Sequence, residues 1–201
     1  MIVLYHAPRT RSVRIHWLLE ELDIPYRLEV VDFVPPASGP FAQRTPFGKF
    51  PAVEDGDVKM FESGAIVEYM IDRYGKGRLA PPPGTSARAA YLQWIHFAEA
   101  TAFPPIGNIA WHLMFRQDAD QVPGAMADYR GWAHAALDVV ERALAGKDYL
   151  LGGELSGADI MMGYTVIVAK WLGLVDERHA NVAGYLARLE ERPAFRATVL
   201  G

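Results

Sequence analysis

The chain has 201 residues, 51% of them apolar, a formal net charge of −4 and no cysteine. A chain this long and this apolar folds around one substantial core or two small ones and is not disordered. Interspersed charges without a run of Lys or Arg exclude nucleic acid and an anionic membrane surface as partners, and the absence of cysteine excludes disulfides, thiolate metal sites and a sulfur nucleophile supplied by the protein. The apolar run at residues 1–5 is too short for a signal-peptide core and no stretch approaches a membrane span, so the expected location is the cytoplasm.

Residues 1–5 and 26–31 read as strands. Between them Ile15, Leu18, Leu19 and Leu22 recur at helical spacing, with Asp23-Ile24-Pro25 as the stop. After a loop rich in Pro, Gly and Ser at residues 35–46, two short strands flank the turn Glu54-Asp55-Gly56-Asp57, a hairpin pattern. A second helix follows with a buried stripe of Val67, Met70, Ile71 and Tyr74 and ends near Gly75 and Gly77.

Pro81-Pro82-Pro83-Gly84 continues neither helix nor sheet and marks a stiff linker. The expected organisation is a first domain at 1–78, a linker at 79–85 and a second domain at 86–201. Beyond the linker strand patterns vanish. Ala133, Leu137, Val140 and Leu144 form one apolar stripe, Ile160, Tyr164, Ile167 and Trp171 another, and Val182, Tyr185, Leu186 and Leu189 a third, so the second domain is all-helical. Pro104-Pro105 is expected to break or kink its helix.

Gly48-Lys49-Phe50-Pro51-Ala52-Val53 places a proline at the start of a strand, where it donates no ladder hydrogen bond. A cis peptide before Pro51 would turn the backbone polar groups of Phe50 toward an extended peptide; the alternative is an ordinary edge-strand proline. Glu62-Ser63-Gly64 directly precedes the second helix. The Ser63 hydroxyl and the first helical amides suit a carboxylate and Glu62 suits an ammonium, together an α-amino acid head group; the plainer alternative is a helix cap with a solvated acid. Ser156-Gly157-Ala158-Asp159 reads as a capping box with a structural role. The six histidines, at 6, 16, 96, 112, 134 and 179, show no i,i+4 pair, so metal-ligand spacing is missing.

These segments amount to a family pattern. Tyr5-His6-Ala7-Pro8-Arg9-Thr10-Arg11-Ser12, Trp17-Leu18-Leu19-Glu20-Glu21-Leu22, Pro46-Phe47-Gly48-Lys49-Phe50-Pro51-Ala52 and Phe61-Glu62-Ser63-Gly64-Ala65-Ile66-Val67-Glu68-Tyr69 closely resemble, in order and spacing, the amino-terminal domain of cytosolic glutathione S-transferases. Leu151-Gly152-Gly153, Ser156-Gly157-Ala158-Asp159-Ile160 and Arg192-Pro193-Ala194-Phe195 resemble the same family's helical domain, so the resemblance spans essentially the whole chain. It implies a thioredoxin-like α/β domain (βαβαββα, with a mixed four-stranded sheet) followed by an all-α domain.

What the resemblance implies is residue-specific. Phe50 beside Pro51 binds the cysteinyl backbone of glutathione, Glu62 and Ser63 hold its γ-glutamyl end, and Lys49 reaches a carboxylate. A free thiol ionises near pH 8.5, and lowering that by about two units takes roughly 2.7 kcal/mol of differential stabilisation. In the family a Tyr, Ser or Cys near the end of the first strand or the start of the first helix makes the activating hydrogen bond; with cysteine absent, the resemblance points to a hydroxyl from Tyr5, Thr10 or Ser12, with Arg11 adding positive potential. The choice among them stays open at this stage. Phe103, Trp111 and His112, in an aromatic-rich segment opening the helical domain, are expected to line the acceptor pocket, with core packing as the alternative.

The expected function is glutathione-dependent transfer to a small hydrophobic electrophile, or peroxide reduction, with glutathione as co-substrate and no metal. The resemblance also implies a symmetric homodimer. The alternative is a binding or regulatory protein that keeps the tripeptide site without activating the thiol.

Overall fold

The computed structural model describes residues 1–31, 45 and 48–201. They form two compact units, residues 1–79 together with 192–201, and residues 80–191. In the first unit β1 (Ile2–His6), α1 (Ser12–Glu21), β2 (Tyr26–Val30), β3 (Ala52–Asp55), β4 (Val58–Phe61) and α2 (Ser63–Tyr74) follow one another. The sheet order is β2-β1-β3-β4, with β1 parallel to β2 and antiparallel to β3, and β3 antiparallel to β4. This is the mixed four-stranded sheet of a thioredoxin-like domain. The helix expected between β2 and β3, and the loop at 35–46 apart from Thr45, lie outside the described residues.

An uninterrupted apolar run suits a strand covered on both faces, and β1 is buried along its whole length at the centre of the sheet. Against it packs the predicted stripe of α1, where Ile15, Leu18 and Leu19 are fully buried. Gly56 and Asp57 close the β3–β4 hairpin in a two-residue turn; Gly56 takes φ +62°, a left-handed value that glycine meets at no steric cost. The Asp55 carboxylate next to this turn accepts from the Tyr69 hydroxyl at 2.9 Å and the Tyr74 hydroxyl at 2.6 Å, tying the second half of α2 to the hairpin.

The second unit contains α3 (Ser86–His96), α4 (Phe103–Ala110), α5 (Pro123–Ala143), α6 (Gly157–Trp171) and α7 (Ala180–Glu190). No strand occurs among its described elements. The chain does not break at Pro104-Pro105. It stays helical through both prolines, which sit in the first turn of α4 directly after a π-helical turn over Phe97–Ala102. The wider turn accommodates the two missing N–H donors without ending the helix.

Helix α6 is buried without interruption from Gly157 to Ala169 and contacts α3, α4 and α7. A helix apolar on all sides belongs at the centre of its unit. Trp171, counted in its buried stripe from the sequence, stands 47% exposed at the helix end. The start of α6 is the capping box, where the Asp159 carboxylate accepts from Ser156 N at 2.9 Å, Ser156 Oγ at 2.8 Å, Leu150 N at 2.9 Å and the Tyr185 hydroxyl at 3.1 Å.

The last ten residues leave the helical unit. Helix α8 (Pro193–Phe195) continues into a π-helical turn, Arg196–Leu200, and both contact α1. Phe195 meets Trp17 edge-on at 4.8 Å, both fully buried, and Arg192 grips the Glu21 carboxylate through Nε at 2.7 Å and Nη2 at 2.6 Å. The sequence assigned this segment to the helical domain because its helical character is the same on either side of Arg192. Its anchor is an aromatic and ion-pair contact made 171 residues away in sequence.

Candidate active site

Two helix starts in the first unit carry the candidate chemistry. At the first, β1 turns into α1 and polar groups crowd together. Ser12 is fully buried; its Oγ accepts from Ala7 N at 3.1 Å and lies 2.9 Å from His6 Nδ1, 2.8 Å from Thr10 Oγ1 and 3.1 Å from Ala7 O. The Thr10 hydroxyl reaches Ala7 O at 2.8 Å and is half-buried. Tyr5 packs in a cluster with Val3, Ala7, Phe50 and Ala52 and is 7% exposed. Burial holds His6 neutral, with the neighbouring His16 adding to the effect, and its pKa falls to about 4; burial likewise lowers that of His16.

The second helix start is built differently. The Phe50–Pro51 peptide is cis, as the sequence suggested, and leads into β3. Between β4 and α2, Glu62 holds φ +71° and ψ 107°, a strained conformation for a residue with a side chain. Its carbonyl accepts the first helical bond, from Ile66 N at 3.0 Å, which leaves the amides of the first turn pointing out of the helix. Ser63 is the first residue of α2, and the Arg14 Nη1 donates to its Oγ at 2.9 Å.

Arg11, Lys49, Phe50, Pro51, Glu62 and Ser63 line one cleft. These are all six residues expected to bind the tripeptide. Thr45 and Phe61 complete the lining and were not anticipated: Thr45 Oγ1 accepts from Lys49 N at 3.1 Å and so shapes the loop before Phe50, and Phe61 is the exposed last residue of β4. The cleft presents two cations, one carboxylate, two hydroxyls and helix-start amides, a set complementary to a peptide with separated carboxylates and one ammonium. Tyr5, Thr10 and Ser12 are not part of this lining.

In the helical unit Phe103 is half-buried and lies 5.7 Å from Tyr164, ring centre to ring centre. Trp111 is 39% exposed and leans on Phe115 at 5.1 Å, and His112 stacks on Tyr129 with its Nδ1 2.7 Å from the Asp118 carboxylate. Among the described residues no group of three or more His, Asp or Glu is placed to hold a metal ion, and no helix is long and apolar enough to cross a membrane.

Comparison with known proteins matches this architecture to one family in both halves. Residues 1–72 match the glutathione S-transferase N-terminal domain and residues 123–197 the glutathione S-transferase C-terminal domain. The chain is 32% identical over 212 residues to glutathione S-transferase 3 of Schizosaccharomyces pombe, covering 98% of this chain and 86% of that protein. Among solved structures, a glutathione transferase from Methylococcus capsulatus aligns over 100% of this chain and 98% of its own at 26% identity, with a TM-score of 0.88. A glutathione transferase from Phanerochaete chrysosporium, solved in complex with oxidized glutathione, aligns over 98% of this chain and 94% of its own at 27% identity, with a TM-score of 0.86. On the sheet order, the cis proline, the cleft at the start of α2 and the match of both domains, the chain belongs to the glutathione S-transferase family.

Proposed function

We propose that the protein is a glutathione transferase that binds glutathione in the cleft at the start of α2, ionises its thiol and delivers the thiolate to a small hydrophobic electrophile. The observation carrying this reading is the convergence of Phe50, cis-Pro51, Glu62 and Ser63 on one cleft with Arg11 and Lys49 at its sides. The γ-glutamyl carboxylate sits on Ser63 and the first amides of α2, its ammonium on Glu62, and the cysteinyl backbone along Phe50. Lys49 or Arg11 takes the glycyl carboxylate. Glutathione is a co-substrate and no metal takes part in this reading. Phe103, Trp111 and His112 contribute to the acceptor pocket, and the subunit works in the cytoplasm as a homodimer; these points rest on the family resemblance.

Of the hydroxyls at the β1–α1 turn, the half-buried Thr10 is the thiolate donor. Burial favours it over Ser12, which is enclosed by its own turn, and over Tyr5, which is packed among apolar neighbours; its proton, held by Ala7 O at 2.8 Å, turns from that carbonyl to the thiolate when glutathione binds. A titration of thiolate absorbance for bound glutathione tests both parts. The bound thiol should ionise about two pH units below free glutathione, Thr10→Ala should return it toward the free value, and Tyr5→Phe and Ser12→Ala should leave it nearly in place. An unshifted thiol in the wild type would make this a binding protein, and no binding at all would remove the cleft as the site.

A further inference from the structure

Arg14 is fully buried in α1 although it carries a permanent charge. Taking a guanidinium out of water costs several kcal/mol unless it gains hydrogen bonds and a compensating charge. The sequence shows it only as a lone basic residue on a helix, and one of its contacts lies 49 residues away, where Nη1 donates to Ser63 Oγ at 2.9 Å.

That contact has a fixed direction. A guanidinium has no acceptor, so in this pair Ser63 accepts and its own proton is released for another partner. Among the described residues Arg14 is the hydrogen-bond partner of Ser63 Oγ, and Ser63 lines the cleft at the first turn of α2. The hydroxyl proton is therefore available to a ligand oxygen placed where the helix-start amides also point. An anion there would meet the Ser63 proton, the positive end of α2 and, one hydroxyl behind, the buried charge of Arg14.

We propose that Arg14 is a positioning residue for the α-carboxylate of a γ-glutamyl peptide, acting through Ser63: by donating to Ser63 Oγ it turns the Ser63 proton toward this carboxylate. The site thereby selects peptides carrying that carboxylate over those lacking it. The proposal rests on the reading of the cleft as a glutathione site.

Calorimetric titration with three peptides separates this role from a merely structural one. Glutathione and glutaryl-cysteinylglycine carry the carboxylate; 4-aminobutyryl-cysteinylglycine lacks it and keeps the amine. In Arg14→Gln the Kd for the first two should rise about ten- to a hundredfold, the range of a charge-assisted hydrogen bond, and the Kd for the third should change less than about twofold. Equal weakening of all three would overturn the proposal, since a general loosening of α1 against α2 does not distinguish them. If Arg14→Gln fails to fold, Arg14→Lys carries the same test: it keeps the charge and loses the planar fork, and its smaller loss should again be confined to the two carboxylate-bearing peptides. Wild-type protein that binds none of the peptides would sink the glutathione site itself, an outcome visible before any variant is made.

Discussion

Helices α1 and α2 each begin with a serine, and the two are almost equally buried, at 0% for Ser12 and 2% for Ser63. Their surroundings differ. Ser12 is enclosed by Ala7, Thr10 and His6, all supplied by its own turn within six residues. Ser63 is met by a buried guanidinium that can only donate, beside a residue held at φ +71°, on the wall of a cleft. Exposure therefore does not separate a structural hydroxyl from one set for a ligand. The separation lies in whether the proton of the hydroxyl is already committed by local partners.

The start of α6 is the extreme of the committed kind and offers the largest effect. The buried Asp159 carboxylate collects four donors from Ser156, Leu150 and Tyr185. Asp159→Ala strands them in an apolar interior, at about 3–5 kcal/mol, the scale for leaving several buried donors without an acceptor. Chemical denaturation should show that loss, and calorimetry on the folded fraction should show an unchanged glutathione Kd. A variant as stable as the wild type would mean that the donors find other partners, and the contrast between committed and available helix starts would weaken.

Ser12→Ala is the direct comparison with Ser63. It leaves the Ala7 amide without the Ser12 oxygen in a buried turn and should cost about 1–3 kcal/mol of stability. Bound glutathione should keep its thiol ionisation. Ser63→Ala should weaken glutathione in addition to costing stability, because it also strands the Arg14 Nη1 donor in the interior. Thermal unfolding and ligand titration on both variants separate stability from binding, and glutathione weakened by Ser12→Ala but not by Ser63→Ala would mean that the helix starts have been assigned the wrong way round.

The cleft was legible in the sequence because its chemistry is local. Lys49-Phe50-Pro51 and Glu62-Ser63 flank a single hairpin, so once the turn at Gly56 is recognised the two segments fall side by side by strand pairing alone. Arg14 was not legible, since its meaning depends on a partner across the α1–α2 contact and nothing in a helical stripe of Val13, Ile15, Leu18 and Leu19 marks the arginine as buried. The same holds for Phe195 against Trp17, a contact between chain ends that moves the last ten residues into the first unit. Of the break or kink expected at Pro104-Pro105 the break does not occur, for a local reason: the sequence counts the missing donors but not the π turn that absorbs them.

The smallest effect probes the committed turn from its far side. His6 lies against Ser12 and stays neutral in the fold down to about pH 4, because burial opposes its charge first and His16 second. In the unfolded chain a histidine titrates near pH 6.5. Between those values the unfolded chain takes up a proton that the fold refuses, so the stability tied to His6 is complete above pH 6.5 and declines as the pH falls toward 4. After allowance for solvent screening the decline is on the order of 1–2 kcal/mol. His6→Asn removes the titration while an amide N–H can still face Ser12. Denaturant midpoints measured at pH 7 and pH 5 should fall further in the wild type than in this variant. Equal falls would place the acid sensitivity elsewhere, for instance on His16, whose pKa is also lowered, and would free the β1–α1 turn from any proton-linked role.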